Sequence, residues 1–330
     1  MLGQQGQQGQ QGQEGREARQ PRLVLREAVA DELGRGCHPS SMALADMIRE
    51  RHGATVAAVL FYGSCLRQDP ADDPPEGIQD FYVIVDRYQD AYRSRWQAFA
   101  NRLLPPNVFY IEQARGKHVV RAKYAVVSRA QFVSGTSSAA FHPSLWARFS
   151  QPVALLYARD ETVRAEMIDA VVDAVRTMLT SAAPLVEAPA PPANLWQEAL
   201  RQTYRAELRP ESSERAATIY RADDERYDRI ARLLFAGQVQ ADGCLALQTN
   251  AEERRRTHRT WLFRRMLGKP LSVVRLMKSL FTFDGGVDYA LWKVERHTGV
   301  RIPITSFERR HPLLNAPRLL WRVYRLSAVR

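Results

Sequence analysis

The chain has 330 residues, 45% hydrophobic and 25% charged, which is the composition of a globular protein with room for two ordinary domains and tails. Its three cysteines, Cys37, Cys65 and Cys244, have no zinc-ligand spacing and are too few for a disulfide framework, so a reducing cytoplasm is expected. The net charge is +11, and residues 251–330 hold 18 Lys and Arg against 6 Asp and Glu, so the positive excess sits in the last quarter and calls for an anionic partner.

Residues 1–20 carry a Gly-Gln repeat without the apolar core of a signal peptide, and read as a disordered tail. No apolar run approaches the roughly 18 residues of a spanning helix. A helix is predicted over 40–52, stopped by Gly53, and a buried strand over 55–62 (TVAAVLFY), ending in the turn Gly63-Ser64. A polar loop rich in Asp and Pro leads to a second strand over 80–86 (DFYVIVD). A helix over 90–104 is stopped by Pro105-Pro106, and strands follow over 107–112 and 119–128, joined by a turn at Gly116. Apolar residues Val163, Met167, Val171, Val175 and Met178 mark one face of a helix within 160–182. The Pro-rich stretch 188–193 is the expected internal boundary, with helices beyond it over 195–208, 224–235 and 252–267. The predicted fold class is α/β: a core with a small mixed sheet over 21–183, a mainly helical domain over 194–268, and a basic region over 269–330.

The turn Gly63-Ser64 directly after a buried strand, with Asp80 opening the next one, resembles the polymerase-β-like nucleotidyltransferase superfamily. The residue types suit that chemistry. Glycine lets backbone approach a triphosphate, the Ser64 hydroxyl can bond phosphate oxygens, and a carboxylate at the strand mouth can hold Mg²⁺. The bland reading is a common Gly-Ser turn and an Asp that caps a strand. In the superfamily a second acid sits two residues after the first, and here that position is Tyr82. Asp86 shares the strand face, but six residues at about 3.3 Å each put it roughly 20 Å away.

The segment FYGSCLRQ…IQDFYVIVD is further similar to the mitochondrial-type CDP-diacylglycerol synthases, the translocator-assembly-and-maintenance phosphatidate cytidylyltransferases, which also lack the second strand acid. Val108-Phe109-Tyr110, the run 122–128 (AKYAVVS), Leu145-Trp146, 148–153 (RFSQPV), 203–209 (TYRAELR) and 278–282 (KSLFT), then Tyr289 and Lys293, resemble further family segments in chain order. Cys65, Gln151 and Glu207 stand where that family has Gly, Lys and Asp. The resemblance implies a cytidylyltransferase joining CTP to phosphatidic acid, or a related lipid phosphate, at an anionic membrane surface, with Mg²⁺ as cofactor. It assigns Gly63, Ser64, Lys278 and Arg209 to the nucleotide, Lys123 to a phosphate, and Asp80 and Glu207 to the metal. It places the protein peripherally on the inner face of a membrane.

An acceptor that is already an anion needs no general base, which accords with the absence of an obvious catalytic histidine; His297 reads as structural or surface. A helix over 317–330 would place Arg318, Arg322 and Arg325 on one face, suited either to lying in a membrane interface or to packing on the domain. Two other readings stand beside this one. A nucleotidyltransferase acting on RNA or a protein side chain would use the basic quarter on a phosphodiester backbone, but no aromatic-basic strand or RNA module supports nucleic acid. An inactive nucleotidyltransferase-fold binding module would account for the missing strand acid.

Overall fold

The computed structural model describes residues 22–68, 77–115, 118–207, 213–282 and residue 305. The Gly-Gln tail, the Gly116 turn, Arg209, His297 and the 317–330 segment lie outside the described residues. Helix α1 covers 22–33 and α2 Pro39–His52, ended by Gly53 at φ 68°. Strand β1 is Val56–Tyr62 and β2 Ile78–Val85. Helices α3 (Tyr88–Ala91) and α4 (Arg95–Leu103) replace the single helix expected over 90–104. The break falls where Ser94 caps α4 by accepting the Gln97 N–H.

Strands β3 (Asn107–Arg115) and β4 (His118–Ser128) are followed by α5 (Arg129–Thr136), α6 (Trp146–Phe149) and β5 (Val153–Ala158). Then come α7 (Glu161–Ala182), α8 (Pro192–Ala206), α9 (Ser213–Arg221), α10 (Asp224–Leu234) and α11 (Ala251–Thr282). The last was expected to stop near 267. Instead it runs on through Gly268 and Pro270, so Lys278 is helical.

The architecture is α/β, with one mixed five-stranded sheet in the order β3-β4-β2-β1-β5. β2 pairs parallel with β4, and the other neighbours are antiparallel. The continuous apolar runs in the sequence follow from burial on both faces. Val59, Phe61, Phe81, Val83, Tyr124 and Val126 point to one core, which α2 covers. Leu60, Tyr82, Ile84, Ala125 and Val127 point to the other, built with α1, α7, α8 and α10. That second core runs without interruption across the Pro-rich stretch, joining Trp196, Tyr227 and Trp261 to the sheet-facing residues.

The two-residue alternation of a strand decides which layer meets the candidate chemistry. Asp80 shares parity with Tyr82, Lys123 with Ala125, and Tyr62 with Leu60, so all three lie on the face that receives α6, α8 and α11.

Candidate functional site

The site is built at one end of the β1–β2 pair. Tyr62 is directly opposite Asp80, and Asp80 is opposite Lys123 on β4. Gly63 turns the chain at φ 93°, a left-handed conformation that side chains avoid, and a Cβ there would lie 3.2 Å from Asp80 Oδ2. The turn therefore lays bare backbone against the carboxylate. Ser64 follows, exposed, at the start of a short 3₁₀ turn. The Cys65 thiol is buried and donates to the Ile78 carbonyl at 3.4 Å, so it ties the turn to β2 rather than filling the space above it. Lys123 Nζ lies 2.9 Å from Asp80 Oδ1, and both side chains are partly exposed.

The same face receives a guanidinium that sequence reasoning assigned no role. Arg148, on α6, donates from Nη1 to the Tyr82 hydroxyl at 3.0 Å, and its Cζ lies 5.2 Å from the Tyr62 ring centroid and 5.6 Å from that of Tyr82. Burial disfavours its charge, but Tyr62, Tyr82, Glu207 and Asp80 around it outweigh that, and its pKa is raised further. Tyr82, standing where a second acid was missing, thus serves as the acceptor that positions an arginine.

Glu207 ends α8, its N–H bonded to the Tyr204 carbonyl at 3.2 Å. Helix α11 crosses that point so closely that a Cβ on Gly268 would be 2.2 Å from the Ala206 carbonyl oxygen. The crossing brings Arg275 alongside, its Nη1 3.3 Å from His142 Nδ1 and 3.5 Å from Ser144 Oγ. Burial and then the Arg275 charge push the His142 pKa down to about 4, so the ring is neutral at pH 7. Burial also lowers the Arg275 pKa; Tyr82 and Glu207 oppose this and Arg148 adds to it.

The structure therefore gathers Gly63, Ser64, Asp80 and Lys123 at one strand mouth, and brings Glu207 to the Arg148 that Asp80 also faces. Lys278 is engaged otherwise. Its Nζ donates to the Leu104 and Pro106 carbonyls at 2.6 and 2.7 Å, which ties α11 to the end of α4. Burial, with the nearby Arg275, brings its pKa down to about 8. Asp86, at the far end of β2, is clamped by Arg159 and Arg129.

A cavity of about 830 Å³ lies at that far end, lined by Asp86, Arg87, Arg95 and Arg102. It is distant from Gly63 and Asp80, and the chemistry rather than the volume marks the candidate site. No cluster of three or more His, Cys, Asp or Glu able to hold a metal occurs among the described residues. A carboxylate at a strand mouth, as Asp80 is, is a donor that Mg²⁺ accepts, since the ion is commonly bound by one or two protein carboxylates together with substrate phosphates. Nothing in the local sequence pattern of Arg148, Arg275 or His142 marks them, since they meet only through the crossing of α11 over α8. No protein-family model and no curated protein matches the chain.

Proposed function

We propose that the protein is a nucleotidyltransferase of the polymerase-β type that transfers CMP from CTP to the phosphate of phosphatidic acid, or of a related lipid phosphate. The observation that carries the reading is the glycine turn at φ 93° laid directly against the Asp80 carboxylate, with Lys123 2.9 Å away on the neighbouring strand. Bare backbone, an exposed hydroxyl, one carboxylate and one ammonium at a strand mouth are what a metal-bound triphosphate requires. Mg²⁺, held by Asp80 and then Glu207, would neutralise charge on the reacting phosphates. Gly63 and Ser64 cradle the triphosphate, and Lys123 steadies both the Asp80 carboxylate and a phosphate oxygen. An acceptor phosphate oxygen bonds to the α-phosphorus, the bridge to the β-phosphate breaks, and pyrophosphate leaves with the electron pair. The acceptor oxygen is already deprotonated, so no general base is needed.

The face of α11 that looks away from the core supports a membrane-borne acceptor. Trp261, Arg264, Gly268 and Arg275 face inward, whereas Leu262, Phe263, Met266, Leu267, Val273, Val274, Leu276 and Met277 are 43–64% exposed. A contiguous apolar face of this kind marks an interaction surface, and exposed Arg255, Arg256, Arg259 and Lys269 beside it complement anionic head groups. No helix among the described residues is long and apolar enough to cross a membrane.

The test presents phosphatidic acid in anionic vesicles to the purified full-length protein with Mg²⁺ and each nucleoside triphosphate in turn. The expected result is a CDP-lipid and pyrophosphate from CTP, little product from ATP, and a fall in transfer with rising salt or with Met266→Glu/Met277→Glu. Transfer of nucleotide to RNA with no lipid product would refute the reading.

A further inference from the structure

Arg148 and Arg275 crowd the Glu207 carboxylate, and the other carboxylate near Arg148, Asp80, is already paired with Lys123 at 2.9 Å. Each feels the Glu207 charge, and Arg275 also feels the repulsion of Arg148. His142, against Arg275, contributes no negative charge. The Arg275 Nε is buried without a hydrogen-bond partner. Two guanidiniums held together in a low-dielectric space, one with an unused donor, are costly unless an anion joins them. The cavity between Ser144, Arg148, Gln151, Tyr204 and Glu207 measures about 20 Å³, room for roughly one water molecule. A larger anion therefore enters only as the Glu207 side chain withdraws.

We propose that Arg148 and Arg275 form an anion subsite that takes the phosphate monoester of the acceptor, and that the Glu207 carboxylate is its resident counter-ion until that phosphate arrives. This rests on the nucleotidyltransferase reading and adds to it the place of the second substrate. Planar guanidiniums bind phosphate through paired N–H donors, and the Tyr82 hydroxyl fixes the orientation of one of them. Displaced from the arginines, Glu207 becomes free to serve the ion beside Asp80. The exchange couples acceptor binding to completion of the metal site.

The test is a phosphorus NMR titration of the full-length protein with inorganic phosphate, in chelator and without nucleotide, so that no metal takes part. Arg275→Gln is expected to weaken phosphate binding at least tenfold, and Arg148→Lys, which keeps the charge but loses the planar fork, several-fold. Glu207→Gln removes the competing carboxylate and is expected to tighten binding several-fold, an effect that a metal ligand would not have in chelator. Asp86→Asn, at the far end of β2, should leave the affinity within twofold. Absence of saturable binding in the wild type, equal binding in Arg275→Gln, or unchanged binding in Glu207→Gln would overturn the proposal. Phosphate bound through this pair in a protein that transfers no nucleotide would retain the subsite and reject the transferase. CMP transfer with unaltered phosphate binding in Arg275→Gln would do the reverse.

Discussion

Two buried arginines in this molecule are treated in opposite ways. Arg226, on α10, gives Nε and Nη2 to Glu32 of α1 at 2.7 and 3.2 Å and Nη1 to the Ser150 carbonyl at 2.8 Å. Glu32 in turn accepts the Val153 N–H at 3.2 Å, which closes the group around the start of β5. Arg148 donates instead to one phenolic hydroxyl and faces two carboxylates across a gap. The first arrangement is closed, with Arg226 fully engaged, and it fastens α1 and α10 to the sheet. The second sets Arg148, Arg275 and Lys123 against Asp80 and Glu207, which leaves positive charge in excess.

The two ends of β2 repeat the contrast. Asp86 is clamped between Arg159 and Arg129, whereas Asp80 has Lys123 and the bare backbone of Gly63. The sharpest break of the comparison is accordingly Asp80→Asn, which keeps the shape and removes the charge. Turnover is expected to fall by about a hundredfold or more, the scale of losing a preorganised electrostatic group, while the thermal midpoint barely moves. Asp86→Asn should alter turnover less than about threefold. Comparable losses in a steady-state assay would erase the distinction between the two ends.

The closed cluster should behave in the opposite way. Arg226→Met strands the Glu32 carboxylate in the core and is expected to cost about 3–5 kcal/mol in denaturant unfolding, the usual penalty for breaking a buried ion pair. Joint replacement by Glu32→Leu/Arg226→Met should recover most of that loss. Activity per folded molecule should survive in both, and loss of activity without loss of stability would place Arg226 in the working site.

The smallest effect expected is that of pH. His142 is neutral in the fold, with Arg275, Arg264 and Glu207 around it, and its pKa is down to about 4 against about 6.5 for a free histidine. Its contribution to stability is complete above about pH 6.5 and declines as pH falls toward 4, because the unfolded chain takes up the proton first. His142→Gln should flatten that part of the stability profile. An unchanged slope would assign the acid sensitivity to other groups.

Much of the sheet was legible in the sequence because β1, β2 and β4 are continuous apolar runs bounded by glycine, proline and charge. β5 escaped although Pro152 and Arg159-Asp160 border it, since an apolar run of six residues does not tell a strand from a buried helix segment by pattern alone. The end of α11 was misjudged for a physical reason. Gly268 and Pro270 look like stop signals, but Gly268 permits the close crossing over Ala206, and the helix continues. Gly63 and Asp80 could be found from local pattern, a turn after one strand and the mouth of the next, whereas Lys123 came from the family resemblance. Arg148 and Arg275, and Glu207, which the resemblance did name, come from three helical regions far apart in the chain and meet only after the second layer has packed. Tyr82 was the one hint: a phenol in place of an expected acid needs a partner, and the structure supplies Arg148.

The account stands or falls on where the nucleotide and its ion bind, and that can be measured without knowing the acceptor. Electron paramagnetic resonance of Mn²⁺, titrated into the full-length protein with and without CTP, reports the ion directly. The expected result is tight Mn²⁺ binding that depends on CTP in the wild type and in Asp86→Asn, and its loss in Asp80→Asn. Undiminished CTP-dependent Mn²⁺ binding in Asp80→Asn would contradict a site built on the Gly63 turn and the mouth of β2.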